Sequence, residues 1–380
     1  MIKKFFAVVY FVLASAWLVP QTVFADTRVV ATIKPIHSLT ASIMEGVGEP
    51  VLIVEGIESP HDYQLKPSDA KLLEEADVVF WVGPDLESAM SQAIVNLSKN
   101  AISVELVKTE GLKLFEFRSS HVHHHDEEEH MDEHDEDHDH EHGDEHHEEH
   151  HEEHGDEHGD EHGDEHGDEH GDEHDKDHDH EHGDEHHEEH GDEHSDEHGD
   201  EHDHHAHEEG AVDVHVWLDV SNAIIMADEI ARTLKVVYPQ HREEFESNLK
   251  VLQEKLHELE HELEAQAASI KDRPYIVFHD AYQYLEKWLG LESVAAVHLN
   301  PTITPGVGQI NEVREAVVEI GAICAFAEPQ FNPGVLETVA EGTDIRMGMI
   351  DPLGQAVEAG PNAYFELMQN IVTALRDCLT

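Results

Sequence analysis

Short apolar runs alternate with amphipathic stretches along most of the chain. Runs rich in Val, Ile and Phe predict strands, and stretches with apolar residues three and four positions apart predict helices. In the first part of the chain, strands are predicted at 28–33, 50–54, 78–82 and 102–105, and helices at 36–45, 67–75 and 85–97. Because strands that alternate with helices pair in parallel, this part predicts an α/β lobe with a parallel sheet.

The last part of the chain repeats the same alternation. Strands are predicted at 275–278, 294–299, 323–327 and 345–350, and helices at 282–289, 309–320, 335–340 and 364–379. The pattern therefore predicts an α/β fold of two parallel-sheet lobes with a cleft between them. Sheets of this kind bind ligands at the carboxyl ends of their strands, so residues at those ends are the candidates for function.

Between the two parts, residues 240–268 show the apolar spacing of one long helix. Its apolar positions are Phe245, Leu249, Leu252, Leu256, Leu259 and Leu263. Steps of four and three place them on one face, and a helix of this length extends about 40 Å. We expect it to join a first lobe at 26–239 to a second lobe at 269–380.

The first 25 residues have the pattern of a secretory signal. Lys3 and Lys4 precede an apolar run at 5–19, and residues 23–25 form a small-residue cleavage site. The run is short for a membrane anchor, which is the alternative, and Pro20 follows it. We therefore expect residues 1–25 to be cleaved and the mature chain to be soluble outside the cytoplasm, without insertion in the membrane.

Residues 121–209 consist almost entirely of His, Asp, Glu and Gly, with the tetrapeptide Gly-Asp-Glu-His repeated. They hold 31 of the 39 histidines and carry 43 of the 64 net negative charges. Since this composition offers little apolar surface to bury, we expect a disordered insertion in the first lobe. Imidazoles and carboxylates are ligands of transition metals, so the insertion indicates a metal-binding protein; a polyanionic spacer is the alternative.

Charge and cysteine content restrict the function further. A net charge of −64 argues against nucleic acid and anionic membrane surfaces as partners. The chain has no G-x-x-x-x-G-K-[ST] phosphate loop, so it does not hydrolyse nucleotides by that route. The two cysteines, Cys324 and Cys378, form an even pair, which in an exported protein favours a disulfide over a metal or redox site.

Three histidines outside the insertion lie where predicted strands end or begin. His61 follows the strand at 50–54 in a loop, His215 lies at 212–218 where the chain returns from the insertion, and His279 follows the strand at 275–278. Any one of them alone is best interpreted as an ordinary loop or core histidine. Together, in a chain so rich in metal ligands, they predict a site. Three neutral imidazoles with one oxygen ligand suit tetrahedral zinc, whereas manganese prefers more carboxylates.

Two other patterns carry less weight. Residues 257–261 fit H-E-x-x-H, in which His257 and His261 would hold zinc beside the base Glu258 of a protease. The surrounding charged residues indicate a solvated helix face instead, and the sequence shows no third ligand nearby. Glu328 is a candidate general acid or base. Its spacing from other residues is equally consistent with a residue in the cleft wall or one that supports a metal ligand.

Several motifs together resemble one family. They are SPHDY at 59–63, KPSD at 66–69, HVWLD at 215–219, VFHDAY at 277–282, FAEPQF at 326–331, RMG at 346–348 and DPLG at 351–354. With the His-rich insertion, they make the chain similar to the ZnuA-like zinc-uptake proteins, periplasmic binding proteins of ABC importers in the metal-binding cluster. The resemblance covers essentially the whole mature chain.

The resemblance implies a specific site. It implies that His61, His215 and His279 ligate the metal, that Cys324 and Cys378 are bridged, and that the long helix is a rigid link. Manganese and iron relatives typically carry Glu at the third of these histidine positions, so the histidine here favours zinc. Some zinc members have Glu directly before the first ligand, where this chain has Pro60.

The fourth ligand therefore stays open between water and Asp351, which matches the acidic ligand of the manganese relatives. His37 is a weaker candidate, better interpreted as a packed loop histidine. Both positions lie in the folded parts of the chain.

The resemblance implies a zinc-binding component of an ABC importer. We expect a monomer, not an enzyme, that captures Zn²⁺ and delivers it to a membrane permease and, through the permease, to its ATPase. The alternatives are a periplasmic zinc buffer or metallochaperone without a transporter, a zinc-dependent hydrolase and a manganese carrier.

Overall fold

The computed structural model describes residues 27–118, 211–298 and 306–380. The predicted signal segment and the His-rich insertion lie outside these residues, so both stay predictions. The described residues form two four-stranded sheets, each entirely parallel, and helices that pack against them. The predicted fold class, two parallel-sheet α/β lobes, is confirmed.

The first lobe contains four strands and three helices before the insertion. In chain order these are β1 (Val29–Ala31), α1 (Lys34–Ile43), β2 (Val51–Leu52), α2 (Pro67–Glu75), β3 (Val78–Trp81), α3 (Ser88–Leu97) and β4 (Ile102–Glu105). β1 pairs with β2 and β3, and β3 pairs with β4, in the order β2-β1-β3-β4. The elements match the predicted ones, with β1 and β2 shorter than expected.

The second lobe repeats this topology. Its elements are β5 (Tyr275–His279), α6 (Gln283–Leu289), β6 (Ser293–His298), α7 (Val307–Ile320), β7 (Cys324–Ala327), α8 (Gly334–Ala340), β8 (Arg346–Met349) and α9 (Ala363–Leu379). The order is β6-β5-β7-β8, so the chain reverses direction across the sheet between β5 and β7. Loops diverge at such a reversal and leave room for a ligand.

The central strands are buried on both faces. Every residue of β1, β3, β5 and β7 is buried, whereas most residues of the edge strands β4 and β8 are exposed or half-buried. One continuous cluster of buried apolar side chains includes residues of both sheets and of the helices between them. A smaller cluster lies between the second sheet and helices α7 and α8.

Two long helices lie between the insertion and β5. The sequence pattern predicts the second, α5 (Arg242–Ala267), and its buried face includes all six predicted apolar positions. α5 packs against α1, α9 and the helix that precedes it, α4 (Val220–Val237), which belong to both halves of the fold. The lobe boundaries at 239 and 269 are not tested by these contacts and stay a prediction.

The other long helix, α4 (Val220–Val237), is absent from the sequence prediction. It begins after Asp219, whose carboxylate accepts a hydrogen bond from the backbone N–H of Ser221 at 2.7 Å. An aspartate in this position caps the free N–H groups of the first turn. Its buried residues, including Ala223, Ala227 and Ile230, recur every three or four positions, so the signal was present in the sequence.

The segment at 212–218 does not continue as a strand. Val212 forms one isolated antiparallel bridge with Glu116, and Val216–Leu218 is a single 3-10 turn. Beyond this bridge the described part of the chain forms no ladder there, and Oδ1 of Asp213 accepts a hydrogen bond from the backbone N–H of His215 at 3.0 Å. The expectation of a strand end at His215 is therefore wrong, although the residue is buried as a site residue requires.

A disulfide joins β7 to the last helix. Cys324 and Cys378 are bonded, with their Cα atoms 6.2 Å apart, as expected from the even pair. Within residues 27–118, 211–298 and 306–380, no helix has the length and apolar character needed to cross a membrane.

Candidate metal centre

His61 lies in the loop between β2 and α2, and its backbone is held from two sides. Its N–H donates to the Ser59 hydroxyl at 3.3 Å, and its carbonyl accepts from the Ser88 hydroxyl at 3.0 Å. Farther along the loop, the Tyr63 hydroxyl and the Lys66 N–H both donate to Asp69 at 2.9 Å. These bonds fix the loop on the start of α2 and α3, so the half-buried imidazole has a defined position.

His215 is oriented by a carboxylate two residues earlier in the chain. Its Nδ1 lies 2.7 Å from Oδ1 of Asp213, and both side chains are almost completely buried. A carboxylate at this distance keeps the hydrogen on Nδ1 and leaves the lone pair on Nε2. Nε2 of His215 is buried and has no hydrogen-bond partner among the described residues. This nitrogen is therefore available to a metal ion.

His279 is the last residue of β5, at the reversal point of the second sheet. Its backbone is paired with His298 of β6, and its ring contacts Phe331 edge-on with centroids 5.9 Å apart. Its Nδ1 faces Oε2 of Glu328 at 3.5 Å, just after β7. The strand and these neighbours direct the ring toward the first lobe's His61.

The fold brings the three predicted histidines together. The ring centroids of His215 and His279 are 4.9 Å apart, and His61 lies 5.6 Å from the former and 5.5 Å from the latter. One nitrogen from each ring lies within 4.8 Å of the other two. Three nitrogens bound at about 2.0–2.1 Å to one tetrahedral zinc would be roughly 3.3–3.5 Å apart, so small side-chain movements suffice.

The cavity at these rings is small, and residues of both lobes line it. Its lining includes Leu86 from the first lobe, Phe331 and Leu353 from the second, and Trp217, whose ring lies 5.4 Å from that of His215. Its volume is about 10 Å³, close to the space that one water molecule needs. A site of this size excludes organic ligands and suits a single ion.

Buried carboxylates surround the imidazoles. Asp213, Asp280 and Glu328 are all at most 2% exposed. Burial raises the pKa of Asp280 to about 7, against the lowering effect of Arg118. Burial, reinforced by the charge of Asp351, raises the pKa of Glu328 well above its usual value. A dication placed among these groups would favour their charged forms, so the centre is electrostatically complementary to a metal ion.

Asp351 lies outside the three-histidine group among the described residues. Its Oδ1 accepts from Gln330 Nε2 at 2.8 Å and from the backbone N–H groups of Leu353 and Gly354 at 3.1 and 3.0 Å. Its Oδ2 accepts from the N–H of Gln355. The carboxylate thus organises the loop that covers the centre.

The remaining candidates are placed elsewhere. His37 lies within α1 rather than in a loop, and its Nε2 is 3.0 Å from the carbonyl of Pro50. Burial lowers the pKa of His37, as for a packed histidine. His257 and His261 are exposed on α5. The sequence prediction missed Asp213, whose only signal was its place two residues before a candidate ligand.

Residues 29–378 match the family model ZnuA, described as zinc-uptake complex component A periplasmic. The chain belongs to this family. Members of the ZnuA family are substrate-binding proteins and not enzymes, which excludes the hydrolase interpretation of His257–His261.

Curated relatives carry the same family name. A high-affinity zinc uptake system protein ZnuA from Brucella suis is 39% identical over 353 residues, covering 93% of this chain and 91% of the relative. The protein of that name from Haemophilus influenzae is 36% identical over 365 residues, covering 96% of each chain. The family resemblance drawn from the motifs is confirmed.

Solved structures share the fold. A crystal structure of ZnuA superposes with a TM-score of 0.60 at 16% identity, covering 91% of this chain and 98% of that one. A ZnuA deletion mutant with zinc bound gives 0.62 at 15% identity, covering 93% and 97%. At these identities the likeness supports the two-lobed fold alone.

Proposed function

We propose that this protein captures Zn²⁺ in the periplasm with the Nε2 atoms of His61, His215 and His279. The single observation that carries the proposal is the approach of one nitrogen from each ring to within 4.8 Å of the others. The ligands come from a loop after β2, from the segment before α4 and from the end of β5. No covalent chemistry is involved, because the protein only binds and releases its substrate ion.

A water molecule is the fourth ligand in this proposal. The oxygens of Asp351 are already engaged by Gln330 and by the amides of residues 353–355. Tetrahedral coordination by three imidazoles and one oxygen is a stable arrangement for zinc.

We further propose that the protein delivers its bound zinc to a membrane transporter. We infer that the loaded monomer docks on the permease of an ABC importer and that the partner ATPase supplies the energy. The names of the curated relatives refer to high-affinity zinc uptake systems, which supports a transporter partner. The shared apolar core of the lobes favours release through small shifts rather than wide opening.

Zinc titration tests the binding site in a chain without the competing insertion. The segments on either side of the insertion are paired with each other. The N–H of Phe117 donates to the carbonyl of Ala211 at 3.0 Å, and the N–H of Asp213 donates to the carbonyl of Phe115 at 2.8 Å. A short linker can therefore replace residues 120–209. In this background we compare His61→Ala, His215→Ala and His279→Ala by competition with a zinc chelator.

Each substitution should weaken zinc binding by more than the roughly 10–100-fold that loss of an outer-shell partner costs. His241→Ala, at the start of α5 and outside the cluster, is the matched control and should bind zinc like the parent. Tight binding that survives all three ligand substitutions would show that the cleft site is wrong. Tighter binding of Mn²⁺ than of Zn²⁺ would favour the manganese carrier.

A further inference from the structure

Two other imidazoles lie side by side on the exposed face of α5. The side chains of His257 and His261 are 61% and 81% exposed. Residues four apart in a helix project from the same face, with Cβ atoms about 5–6 Å apart. Both rings can therefore reach one ion without any change in the backbone.

The two rings are oriented in the same way. Nδ1 of His257 lies 3.3 Å from Oε2 of Glu260, and Nδ1 of His261 lies 3.9 Å from Oε2 of Glu264. In each case the carboxylate is three residues later in the helix. At 3.3 Å, Glu260 favours the hydrogen on Nδ1 of His257 and leaves Nε2 as its ligand atom, whereas Glu264 at 3.9 Å lies beyond hydrogen-bond distance of His261. At the three-histidine centre a carboxylate also lies at Nδ1, since Asp213, two residues before His215, is 2.7 Å from that nitrogen.

The carboxylates themselves are placed by packing. Oε1 of Glu264 accepts a hydrogen bond from Nε1 of Trp288 in α6 at 3.3 Å, so Glu264 is tied to the second lobe. The side chain of Glu260 is only 22% exposed. Glu260 therefore lies toward the packed side of α5, and Glu264, although 49% exposed, is held by Trp288, while both imidazoles face solvent.

We propose that His257 and His261 form a second, weak zinc site on the outside of α5. The two Nε2 atoms supply the protein ligands, and water completes the coordination. The three-histidine centre is the one group of three or more potential ligands at metal-binding distance among the described residues, so this pair holds the ion with two protein ligands and exchanges it readily. The exposed carboxylates of Glu254, Glu258 and Glu262 raise the local concentration of cations.

This site gives the H-E-x-x-H pattern a role other than catalysis. Zinc proteases use a third protein ligand and a cleft that holds the substrate. Glu258 instead lies exposed on a helix surface between the two histidines. The site binds divalent ions that accept imidazole ligands, and it is distinct from the three-histidine centre.

Histidine modification in the full chain tests the proposal. Diethyl pyrocarbonate acylates free imidazoles, and peptide mass spectrometry reads the rate at each histidine separately. A zinc buffer sets the free zinc concentration, so the histidines of the insertion do not alter it. His241 is the matched control, because its Nδ1 lies 3.8 Å from Glu244 three residues later, but Phe245 replaces a second histidine.

Zinc at about ten times the half-protecting concentration should slow modification of both His257 and His261 about tenfold, since about a tenth of the sites stay free. His241 should react at its zinc-free rate. In His261→Ala, His257 should lose its protection and behave like His241. Protection of His257 that persists in His261→Ala, or no protection of either residue at any free zinc up to about 1 mM, would overturn the proposal. An absence of zinc protection at His61, His215 or His279 would count against the cleft site alone.

Discussion

His215 illustrates how a neighbouring side chain prepares a ligand. Its ring nitrogen Nδ1 is engaged by Asp213, and the opposite nitrogen is buried without a hydrogen-bond partner among the described residues. A buried polar atom left unpaired costs free energy, and a bound ion would supply the missing partner. The orientation of the ring is thus part of the binding site.

Asp213→Asn should weaken zinc binding by about 10–100-fold, because the neutral amide no longer fixes the hydrogen on Nδ1 of His215. Chelator competition measures the change. Asp228→Asn is the control, since Asp228 is exposed on α4 and hydrogen-bonds only Gln253 among the described residues. An affinity within about threefold of the parent would contradict a positioning role for Asp213.

Glu87 is a second buried carboxylate, at the reversal point of the first sheet. It accepts hydrogen bonds from the Thr32 hydroxyl at 2.6 Å and from the N–H groups of Val82 and Gly83 at 3.1 and 2.9 Å. Burial nevertheless raises the pKa of Glu87 from 4.5 to about 7. The folded state therefore holds this proton more tightly than the unfolded state does.

The contribution of Glu87 to stability should be fully present below pH 4.5 and lost as the pH rises through about 7. The free energy of unfolding of the parent minus that of Glu87→Gln should fall by roughly 3 kcal/mol over this range. Urea unfolding at several pH values measures the difference. The exposed Glu246→Gln is the control, and a Glu87 difference that is flat or rises with pH would contradict the expectation.

At the scale of elements, the two sheets share one topology, but His61 follows the edge strand β2 and His279 ends the central strand β5. Each sheet has its first strand in the middle, so consecutive loops leave its carboxyl edge in opposite directions. His279 ends β5 and Glu328 directly follows β7, the two strands at the reversal of the second sheet. Helix α5 packs against helices of both halves and so links the two lobes.

The disulfide ties the last helix to β7 across a sequence separation of 54 residues. Replacing both Cys324 and Cys378 with Ser should lower the free energy of unfolding by about 4 kcal/mol, because the unfolded chain gains the entropy of an open loop. Urea unfolding checks this value. Zinc affinity is the control and should not change, since neither cysteine belongs to the three-histidine group. A loss below about 1 kcal/mol would contradict the entropic argument.

At the scale of the whole molecule, the two lobes are held together by polar contacts as well as by the shared core. Nζ of Lys34 in α1 donates to the carbonyls of Gly354, Gln355 and Val357 at 2.7, 3.1 and 2.7 Å. The indole N–H of Trp217 donates to the carbonyl of Pro352 at 2.8 Å. These bonds hold the loop over the centre against the first lobe, which favours small movements of that loop during release.

Zinc uptake by cells separates an importer subunit from a zinc buffer. In a strain without its own copy, the chain lacking residues 120–209 should restore growth in zinc-poor medium, because the cleft site is intact. His61→Ala combined with His215→Ala in the full chain should not restore it. A buffer would show the opposite pattern, since most of its imidazoles lie in the insertion.

The sequence by itself determined the elements with strong local patterns. The buried central strands and the single apolar face of α5 follow from side-chain periodicity, and the three histidines stood out by type and place. The 212–218 segment was misjudged because its few apolar residues fit both a strand and a turn, and α4 was missed although its pattern was readable.

Only the tertiary structure decided which polar groups meet. Asp213 faces Nδ1 of His215 and Glu328 faces Nδ1 of His279, whereas Asp351 accepts hydrogen bonds from amides of its own loop. None of these contacts follows from spacing along the chain. The reason is physical: periodicity reports which face of an element is buried, but the direction of a carboxylate depends on donors that distant segments supply.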